Sequence, residues 1–428
     1  MNIKKYYNIG KKELFPICRS LTGSGTLNTL KIIKKKFPKI KIKSIKSGTK
    51  AFDWKVPPEW NVVDAFVLDK NKNKIIDFKK NNLHLVGYSL PVNKYIKKKE
   101  LLDHLHSIPK LPNAIPYVTS YYKKYWGFCI DDKTKAKIKK KYKDNEKFFS
   151  KIETSYDPNG KLNYGELIIK GKSSREIIIS TYICHPSMAN DNLSGTIVAM
   201  GLIDYFQKQN LKKTMRFIFV PETIGSIAYL SKNLKKLKDN TVGGYNLTCI
   251  GDEGGHSCLL SKYEDSPSDR SLIETYKKLN IKYKKYSFLQ RGSDERQYNS
   301  PGIDLPITSI FRSKYGEYKE YHTSMDNFKL VTIKGINGGF KVAKEAIKIL
   351  QNKIIPQNKI LCEPQMGKRG LYPTLSKNSR PENIKNFMNF LQYSDGKNDL
   401  DTISLILNIK KKEALKIYRI LKKSKIIS

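Results

Sequence analysis

The sequence predicts an α/β protein with a largely parallel central sheet. Two observations support this prediction. From about residue 160, short apolar stretches rich in β-branched residues alternate with stretches of helical periodicity, which is typical of a layered α/β fold. Several apolar stretches also end just before a histidine or a carboxylate. Ligand sites in such folds gather outside the carboxyl ends of the strands, so we expect the functional site at that edge of the sheet.

The chain before residue 160 has a different character. Residues 1–45 are predicted to form a helical entry, because apolar residues recur at helical spacing from Leu27 to Phe37. Residues 50–135 combine aromatic and β-branched residues with frequent Pro, Gly and Asn. This composition indicates a small β-rich module.

The region after residue 160 contains eight predicted elements. The hydrophobic pattern predicts strands over 176–184, 215–220, 245–251 and 305–311, and helices over 196–207, 226–237, 271–279 and 332–350. His185, Glu222 and Asp252 then each lie just beyond a strand. This agreement in position is stronger than any single motif.

The C-terminal part begins with a linker that contains Pro364, Pro373 and Pro381. Two short helices follow, over 400–407 and 411–422, with the spacing of a helix–turn–helix. The second is rich in lysine, as a DNA-reading helix would be, so nucleic acid is a candidate partner. A packing or oligomerising module is an equal alternative, because lysine is abundant throughout the chain, and a homo-oligomer stays open.

Composition limits the class of protein. A chain of 428 residues predicts two or three domains. It has no run of 18 apolar residues and no apolar leader, so we expect no membrane span, no membrane partner and no secretion signal. The six cysteines form no CxxC pair and are expected to be reduced thiols of a cytoplasmic protein.

The formal charge of +42 suggests polyanion binding at first sight. The lysines are spread along the whole chain, and Lys, Ile, Asn and Tyr are all abundant, as in proteins from AT-rich genomes. We therefore interpret most of this charge as solvated surface.

Histidine and carboxylate residues suggest a metal centre. His185 follows a predicted strand, Asp191 lies six residues later in a polar turn, and His322 lies in a loop that Asp326 can orient. Imidazole nitrogen together with carboxylate oxygen suits zinc. Glu222, at the end of the next strand, can ligate the metal or take the proton of an attacking water.

Arginine is informative because it is rare, with 10 Arg against 71 Lys. Arg291, Arg296 and Arg312 fall within 22 residues, shortly before His322. A guanidinium group binds carboxylate or phosphate bidentately, so these residues are candidates for binding a substrate anion. Structural ion pairs are the alternative. Arg19 is likewise a candidate either for binding a substrate anion or for forming a structural ion pair.

These motifs resemble those of the co-catalytic di-zinc aminopeptidases of the transferrin-receptor/glutamate-carboxypeptidase group. The resemblance is closer to a bacterial aminopeptidase-like domain family, through residues 18–23, 221–226, 291–298 and 315–324. It implies a zinc-aminopeptidase-like mixed sheet flanked by helices, an inserted small β-rich domain and a C-terminal winged helix. Family members are often encoded among polysaccharide-biosynthesis genes.

The predicted boundaries follow from this resemblance. Residues 1–48 form the N-terminal helical part of the peptidase-like domain, residues 49–140 the inserted domain, residues 141–355 the α/β domain, and residues 356–428 the linker and winged-helix-like domain.

The resemblance also implies roles for individual residues. His185, Asp191, Asp252 and His322 would hold zinc, and Glu222 would be the general base. Arg291, Arg296 and Arg312 would bind a substrate carboxylate or a sugar-linked phosphate, and Glu295 would receive a free α-amino group.

The sequence departs from the di-zinc pattern at two positions. Thr223 stands where a second acidic residue follows the general base, and Thr248 stands where an aspartate ligates metal. Asp252 is the candidate substitute for that ligand. Whether one or two zinc ions bind stays open.

The leading functional prediction is a zinc-dependent amide hydrolase, an aminopeptidase acting on a small peptide or aminoacyl conjugate. One alternative is a catalytically degenerate scaffold that binds or regulates through its winged helix. Another is a deacylase of N-acyl sugars in polysaccharide biosynthesis.

Overall fold

A large mixed sheet forms the centre of the protein. The computed structural model describes residues 3–371 and 382–428, so the predicted linker residues Pro373 and Pro381 lie outside the described residues. In chain order the strands of this sheet are β1 (Lys41–Lys46), β2 (Lys161–Ile169), β3 (Ser173–Tyr182), β4 (Lys213–Val220), β5 (Thr241–Leu247), β6 (Ser257–Leu259), β7 (Lys284–Tyr286) and β8 (Ile307–Phe311).

The spatial order of the strands is β1-β2-β4-β3-β5-β8-β6-β7. The four central strands, β4, β3, β5 and β8, run parallel to one another. At one edge β2 pairs with β4 and β1 pairs with β2, both antiparallel, and at the other edge β6 runs antiparallel to β8. The predicted mixed sheet flanked by helices is confirmed, and its parallel part is the centre.

Helices cover both faces of this sheet. The longer ones are Ile3–Ile9, Ser24–Lys36, Ser194–Phe206, Ile224–Asn240, Pro267–Lys278 and Ile333–Asn352, and the shorter segments are Gly10–Leu14, Ala189–Leu193, Phe288–Gln290, Glu295–Tyr298 and Gly367–Arg369. Along β3, Ile177 and Ile179 pack into one apolar cluster and Ile178 and Tyr182 into another, as the alternation of side chains along a strand requires.

The helix Ser194–Phe206 is apolar on almost all sides and nearly fully buried, which is typical of a helix inside a core. The helix Pro267–Lys278 starts at a capping box formed by Ser266 and Asp269, with Pro267 in its first turn. The long helix Ile333–Asn352 begins at Thr332, whose side chain accepts a hydrogen bond from the Gly335 amide. Local sequence therefore fixes where these helices begin.

The β-rich module is built on a four-stranded antiparallel sheet. Its spatial order is Lys74–Asp77, Glu59–Leu68, Lys147–Asp157, Val92–Lys97. Short pairs and helices complete it: Lys50–Ala51 with Trp54–Lys55, Leu105–His106 with Phe128–Cys129, and the helices Asn82–His84, Lys98–Asp103 and Asp132–Lys141. The sheet extends past the expected boundary at residue 140, because Lys147–Asp157 pairs along the length of Glu59–Leu68.

The C-terminal module has its own small apolar core. It contains the helices Glu382–Gln392, Leu400–Ile406 and Lys411–Lys423. The last two correspond to the predicted helices, and the first was not indicated by the sequence pattern. Asp399, at the start of the second helix, is 1% exposed and pairs with Arg270 and Lys353 of the large domain. The module is therefore docked on the large domain through buried charge.

No helix within the described ranges has the length and apolar character needed to span a bilayer.

Candidate metal centre

Three side chains converge at the carboxyl edge of the sheet. His185 follows β3, Asp191 lies in the turn before the helix Ser194–Phe206, and His322 comes from the loop after β8. Nε2 of His322 lies 2.9 Å from Oδ2 of Asp191, and Nε2 of His185 lies 3.9 Å from the same oxygen. All three ligand atoms lie within 4.8 Å of one another.

The atoms that face each other in this group lack other partners. Oδ2 of Asp191 and Nε2 of His322 are both buried, and although they lie 2.9 Å apart, neither makes a hydrogen bond of acceptable geometry to any described residue. Buried polar atoms are rarely left unpaired without a bound ion or water. Two imidazole nitrogens and one carboxylate oxygen are also the donor set of a catalytic zinc site with an open position. The residues present therefore fit a zinc ion.

The protonation states favour metal binding as well. Burial and the neighbouring charges of His322 and Arg19 lower the pKa of His185 to about 4, against the opposing charge of Asp191. Burial alone would raise the pKa of Asp191, but the two histidines and the Tyr182 hydroxyl lower it to about 2. At neutral pH His185 is a neutral imidazole and Asp191 is ionised, and these are the forms that bind metal.

Two neighbouring residues hold Asp191 in place. The hydroxyl of Tyr182 donates to Oδ1 of Asp191 and lies 2.6 Å from Oγ1 of Thr248. The carboxylate of Asp326 accepts hydrogen bonds from the backbone amides of Ala189, Asn190 and Asp191. The carboxylate of Asp326 thus holds the turn that carries Asp191, whereas the sequence predicted that it would orient its own segment around His322.

The β-rich module forms one wall of the site. The amide of Tyr117 donates to the carbonyl of His322 over 2.8 Å, and the amide of Ser324 donates to the carbonyl of Ile115. The ring of Tyr117 lies 5.2 Å from that of His185 and 5.1 Å from that of His322. On its other side His322 stacks on Tyr321 at 3.9 Å.

Glu222 lies beside the cluster, with Oε2 3.8 Å from Nε2 of His185. Ser293 donates to its other oxygen over 2.7 Å. Burial raises the pKa of Glu222 well above the ordinary carboxyl value, and the negative charges of Asp294 and Asp191 raise it further. A carboxyl group with a raised pKa is a stronger base than an ordinary carboxylate and can both accept and return a proton.

The predicted metal ligand Asp252 lies outside this cluster. Asp252 is 2% exposed and accepts hydrogen bonds from Asn190, Gly254 and Ser313. Its carboxylate holds two loops together and is not among the ligand atoms that converge with the histidines. The expectation that Asp252 replaces the ligand missing at Thr248 therefore finds no support in this geometry.

Glu295 is fully buried, and five donors saturate its carboxylate. They are the amides of Gly292 and Ser293 and the side chains of Asn246, Ser309 and Tyr315. No oxygen of Glu295 is left for the α-amino group of a substrate. This prediction was wrong because the segment turns Glu295 inward.

The three predicted arginines separate in space. Arg296 approaches the site, since its Nη2 donates to Oγ1 of Thr223 over 2.7 Å, while its buried Nε has no partner among the described residues. Arg291 is exposed and packs on Phe288. Arg312 binds the backbone carbonyl of Asp252 and the ring of His256. Of the three, Arg296 alone contacts a residue next to Glu222.

Sequence reasoning missed Tyr117, Tyr182 and Asp294. The amide of Thr223 and the hydroxyl of Ser226 donate to Oδ1 of Asp294, whose Oδ2 has no hydrogen-bond partner within the part of the chain that the structure describes. Asp294 lies within the segment 291–298 that carries the family resemblance, so a signal existed. Tyr182 and Tyr117 offered none, because their roles depend on contacts between distant parts of the chain.

The fold and the site together define an aminopeptidase-like α/β protein with an inserted β module and a C-terminal winged helix. The chain belongs to the family described as "Domain of unknown function (DUF4910)", which matches residues 7–353. Residues 354–428 match the winged helix-turn-helix family. The predicted winged helix and the resemblance to an aminopeptidase-like family are confirmed.

Relatives agree with this assignment. A protein of Clostridium acetobutylicum, named as a polysaccharide biosynthesis protein with aminopeptidase-like domain, is 43% identical over 392 residues, which are 91% of this chain and 88% of the relative. A crystal structure from the same organism, named as a peptidase, is 38% identical with a TM-score of 0.79 and covers 100% of this chain and 96% of its own.

The zinc aminopeptidase BSAP of Bacillus subtilis is a more distant neighbour. It is 13% identical with a TM-score of 0.59, and the match covers 81% of this chain and 93% of that one. At this identity the likeness shows the fold alone.

Proposed function

We propose that this protein is a zinc-dependent amide hydrolase with one metal ion, held by His185, Asp191 and His322. The substrate would be a small peptide or an aminoacyl conjugate cleaved in the manner of an aminopeptidase. The observation that carries the proposal is the pair of buried atoms Oδ2 of Asp191 and Nε2 of His322, which lie 2.9 Å apart and make no hydrogen bond of acceptable geometry to any described residue.

A single ion fits better than two. One oxygen of Asp191 already accepts the hydroxyl of Tyr182, and Thr248 offers only a hydroxyl, which is a poor zinc ligand. Thr223 pairs with Arg296. His185, Asp191 and His322 are the one converging group of three or more His, Cys, Asp or Glu side chains within the described part of the chain.

The chain's own residues supply the proton transfers. When bound, zinc would polarise the scissile carbonyl and lower the pKa of the attacking water. Glu222 takes the proton of that water and then gives it to the leaving amine. The hydrogen bond from Ser293 fixes Oε1, so Oε2 is the oxygen that faces His185 and the reacting groups.

Arg296 would bind an anionic group of the substrate. Its Nε is unpartnered, and its position beside Thr223 places it next to the general base. A carboxylate or a sugar-linked phosphate suits the guanidinium fork. Arg291 and Arg312 are not proposed for this role, because the guanidinium of Arg291 packs on Phe288 and that of Arg312 binds the carbonyl of Asp252.

A deacylase of N-acyl sugars is the second candidate function. It is favoured by the saturated carboxylate of Glu295, which leaves the predicted acceptor of a free α-amino group unavailable. The relative named for polysaccharide biosynthesis favours the same candidate. Both functions use the same metal and the same base. They differ in the acyl group, which carries a free α-amino group in an aminopeptidase substrate, and in the amine that leaves.

A substrate comparison tests both. Zinc-loaded protein is offered aminoacyl-anilides, their N-acetylated counterparts and N-acetylated amino sugars, with the Glu222→Gln variant as the matched control. Cleavage of free-amine substrates alone supports the aminopeptidase. Cleavage of acylated sugars alone supports the deacylase. No difference between wild type and the Glu222→Gln variant on any substrate would favour a noncatalytic scaffold.

In such a scaffold the winged helix would be the functional domain, and nucleic acid is its proposed partner. The helix Lys411–Lys423 exposes Lys412, Lys416 and Arg419 to solvent. Retention of a specific DNA sequence above about 0.2 M salt would support this role, since purely electrostatic binding weakens steeply with salt.

A further inference from the structure

The loop that contains Arg19 lies between the β-rich module and the large domain. On the module side, Oγ1 of Thr22 lies 2.6 Å from the hydroxyl of Tyr88 and accepts the amide of Trp60 over 3.0 Å. On the other side, Nη1 of Arg19 donates to the carbonyl of Leu14. Arg19 is thus held in the seam between two domains.

Arg19 is a buried cation without an opposite charge. Its side chain is 2% exposed, its Nη2 has no hydrogen-bond partner, and no carboxylate of the described residues lies within 4 Å of it. Arg216, which is equally buried, pairs with both Glu166 and Glu176. The fold therefore neutralises one buried arginine fully and leaves the other uncompensated.

The ionisable groups around Arg19 do not supply the missing charge. They are the thiols of Cys18 and Cys184 and the phenol of Tyr117. Burial raises the pKa of Cys18 to about 12 and raises those of Cys184 and Tyr117 well above their usual values, so all three are neutral at pH 7. Burial lowers the pKa of Arg19 only to about 10, so its charge remains.

A small cavity is lined in part by Arg19. Its volume is about 10 Å³, and its ten lining residues, which include Arg19, Asn82, Tyr117 and Pro186, contain no acid. This space holds about one water-sized particle. A carboxylate or phosphate group does not fit, and a chloride ion, which is somewhat larger than water, fits with a small displacement of the lining side chains.

We propose that this cavity binds a single halide ion, chloride under physiological conditions, against the guanidinium of Arg19. A water molecule would satisfy a hydrogen bond but would leave the buried charge unbalanced, which is unfavourable. An anion would both accept the hydrogen bond and balance the buried charge. Because Tyr117 and Pro186 line the cavity and flank His185, the ion would also fix the wall of the metal centre.

Thermal unfolding tests the proposal directly. The full chain is compared at constant ionic strength in sodium chloride, sodium bromide and sodium gluconate, whose anion is too large for the cavity. A ligand that binds the folded state alone raises its stability with concentration, so we expect a higher melting temperature in both halides. Arg19→Met should abolish the difference between the salts, and Arg291→Met, at an exposed arginine, should preserve it.

Locating the bound halide by crystallography provides the second test. Crystals grown in bromide should show an anomalous scattering peak beside Nη2 of Arg19, and this result does not depend on whether the Arg19→Met variant folds. Equal melting temperatures in the three salts together with no peak at Arg19 would mean that the cavity holds water only, and would overturn the proposal. A halide effect that survives in Arg19→Met would overturn the assignment to Arg19.

Discussion

The hydroxyl of Tyr182 donates a hydrogen bond to Oδ1 of Asp191, so a single oxygen of that carboxylate, Oδ2, faces His185 and His322. Thr248 lies within hydrogen-bond distance of the same hydroxyl. Because the proton of Tyr182 goes to Asp191, Thr248 is the donor in the second bond. A tyrosine and a threonine thus occupy the side of Asp191 on which a second metal would need ligands.

Tyr182→Phe should weaken zinc binding. The variant loses the bond that orients Asp191, and loss of such supporting hydrogen bonds typically costs about 10- to 100-fold in metal affinity. Competition with a chelating dye measures this change. Tyr276→Phe removes a buried hydroxyl that bonds to Ser257 far from the cluster and should leave zinc affinity unchanged. An unchanged affinity in Tyr182→Phe would refute the orienting role.

The proposed ligands predict a metal content of one equivalent. Elemental mass spectrometry of the purified full chain should find one zinc per protein and almost none in a His185→Ala/His322→Ala variant. His256→Ala is the matched control, since His256 contacts Arg312 and lies outside the cluster. Two equivalents in the wild type would contradict the assignment of a single site, and no metal after purification in zinc-supplemented buffer would contradict the metal centre.

Glu222→Gln should remove turnover and retain zinc. A general base typically contributes about 10²- to 10⁴-fold to rate, and glutamine preserves the shape and the bond from Ser293. The measurement is kcat on the best substrate, with zinc content determined on the same sample. Glu264→Gln, at an exposed site, is the control. Turnover within a few fold of wild type would exclude Glu222 as the base.

Local pattern predicted the four parallel central strands β3, β4, β5 and β8, which the fold confirms with small shifts, and it placed His185 and Glu222 just beyond two of them. It did not indicate β1, β2, β6 or β7. The largest shift is in β5, expected over 245–251 and found at Thr241–Leu247. Gly243 and Gly244 obscured its start, because glycine usually weakens a strand. A Cβ at Gly244 would lie 2.2 Å from the carbonyl oxygen of Ile178, so glycine is required there for close packing of the strands.

Because β5 ends at Leu247, four residues earlier than predicted, the sequence placed Asp252 incorrectly at the end of the strand. Asp252 lies further beyond the strand than the pattern suggested, and it turns to Ser313 and Asn190. The contributions of Tyr117 and Arg19 depend on how the β module docks on the large domain, which no local pattern encodes. What the sequence could show was position along each strand, and what it could not show was the direction of side chains in loops.

Asp294→Asn should shift the pH dependence of activity. The negative charge of Asp294 raises the pKa of Glu222 beyond the effect of burial, so its removal lowers that pKa. Because Glu222 must be ionised to act as a base, the acidic limb of kcat/KM should move to lower pH. Asp239→Asn is the control. A limb that stays in place or moves to higher pH would contradict this coupling.

The same variant should change stability with a defined sign. Burial raises the pKa of Asp294 in the folded state, so folding favours its protonated form. The contribution of Asp294 to the free energy of unfolding is therefore fully present at pH values below the pKa of the unfolded chain, about 4. It is lost as the pH rises through the higher pKa of the folded state. Metal-free Asp294→Asn should therefore gain stability relative to wild type at pH 8 more than at pH 5 in urea unfolding.

Arg216→Met should be the most destabilising of these changes. Arg216 is 1% exposed and joins Glu166 of β2 to Glu176 of β3, so its removal leaves two buried carboxylates without their main partner. Breaking a buried pair in this way typically costs about 3–5 kcal/mol. Arg419→Met, at an exposed arginine, should change the free energy of unfolding by less than about 0.5 kcal/mol.

The pH dependence of that loss separates charge from packing. Burial alone would raise the pKa of Glu166, but Lys43, Tyr229 and Arg216 together lower it. A lowered pKa contributes stability that is present above the unfolded pKa and is lost as pH falls. The deficit of Arg216→Met should therefore be largest at pH 7–8 and shrink towards about pH 4, where Glu166 becomes protonated in the unfolded chain. A deficit that is equal at both pH values would mean that Arg216 acts by filling space, and that the three charges do not stabilise the junction of β2, β3 and β4.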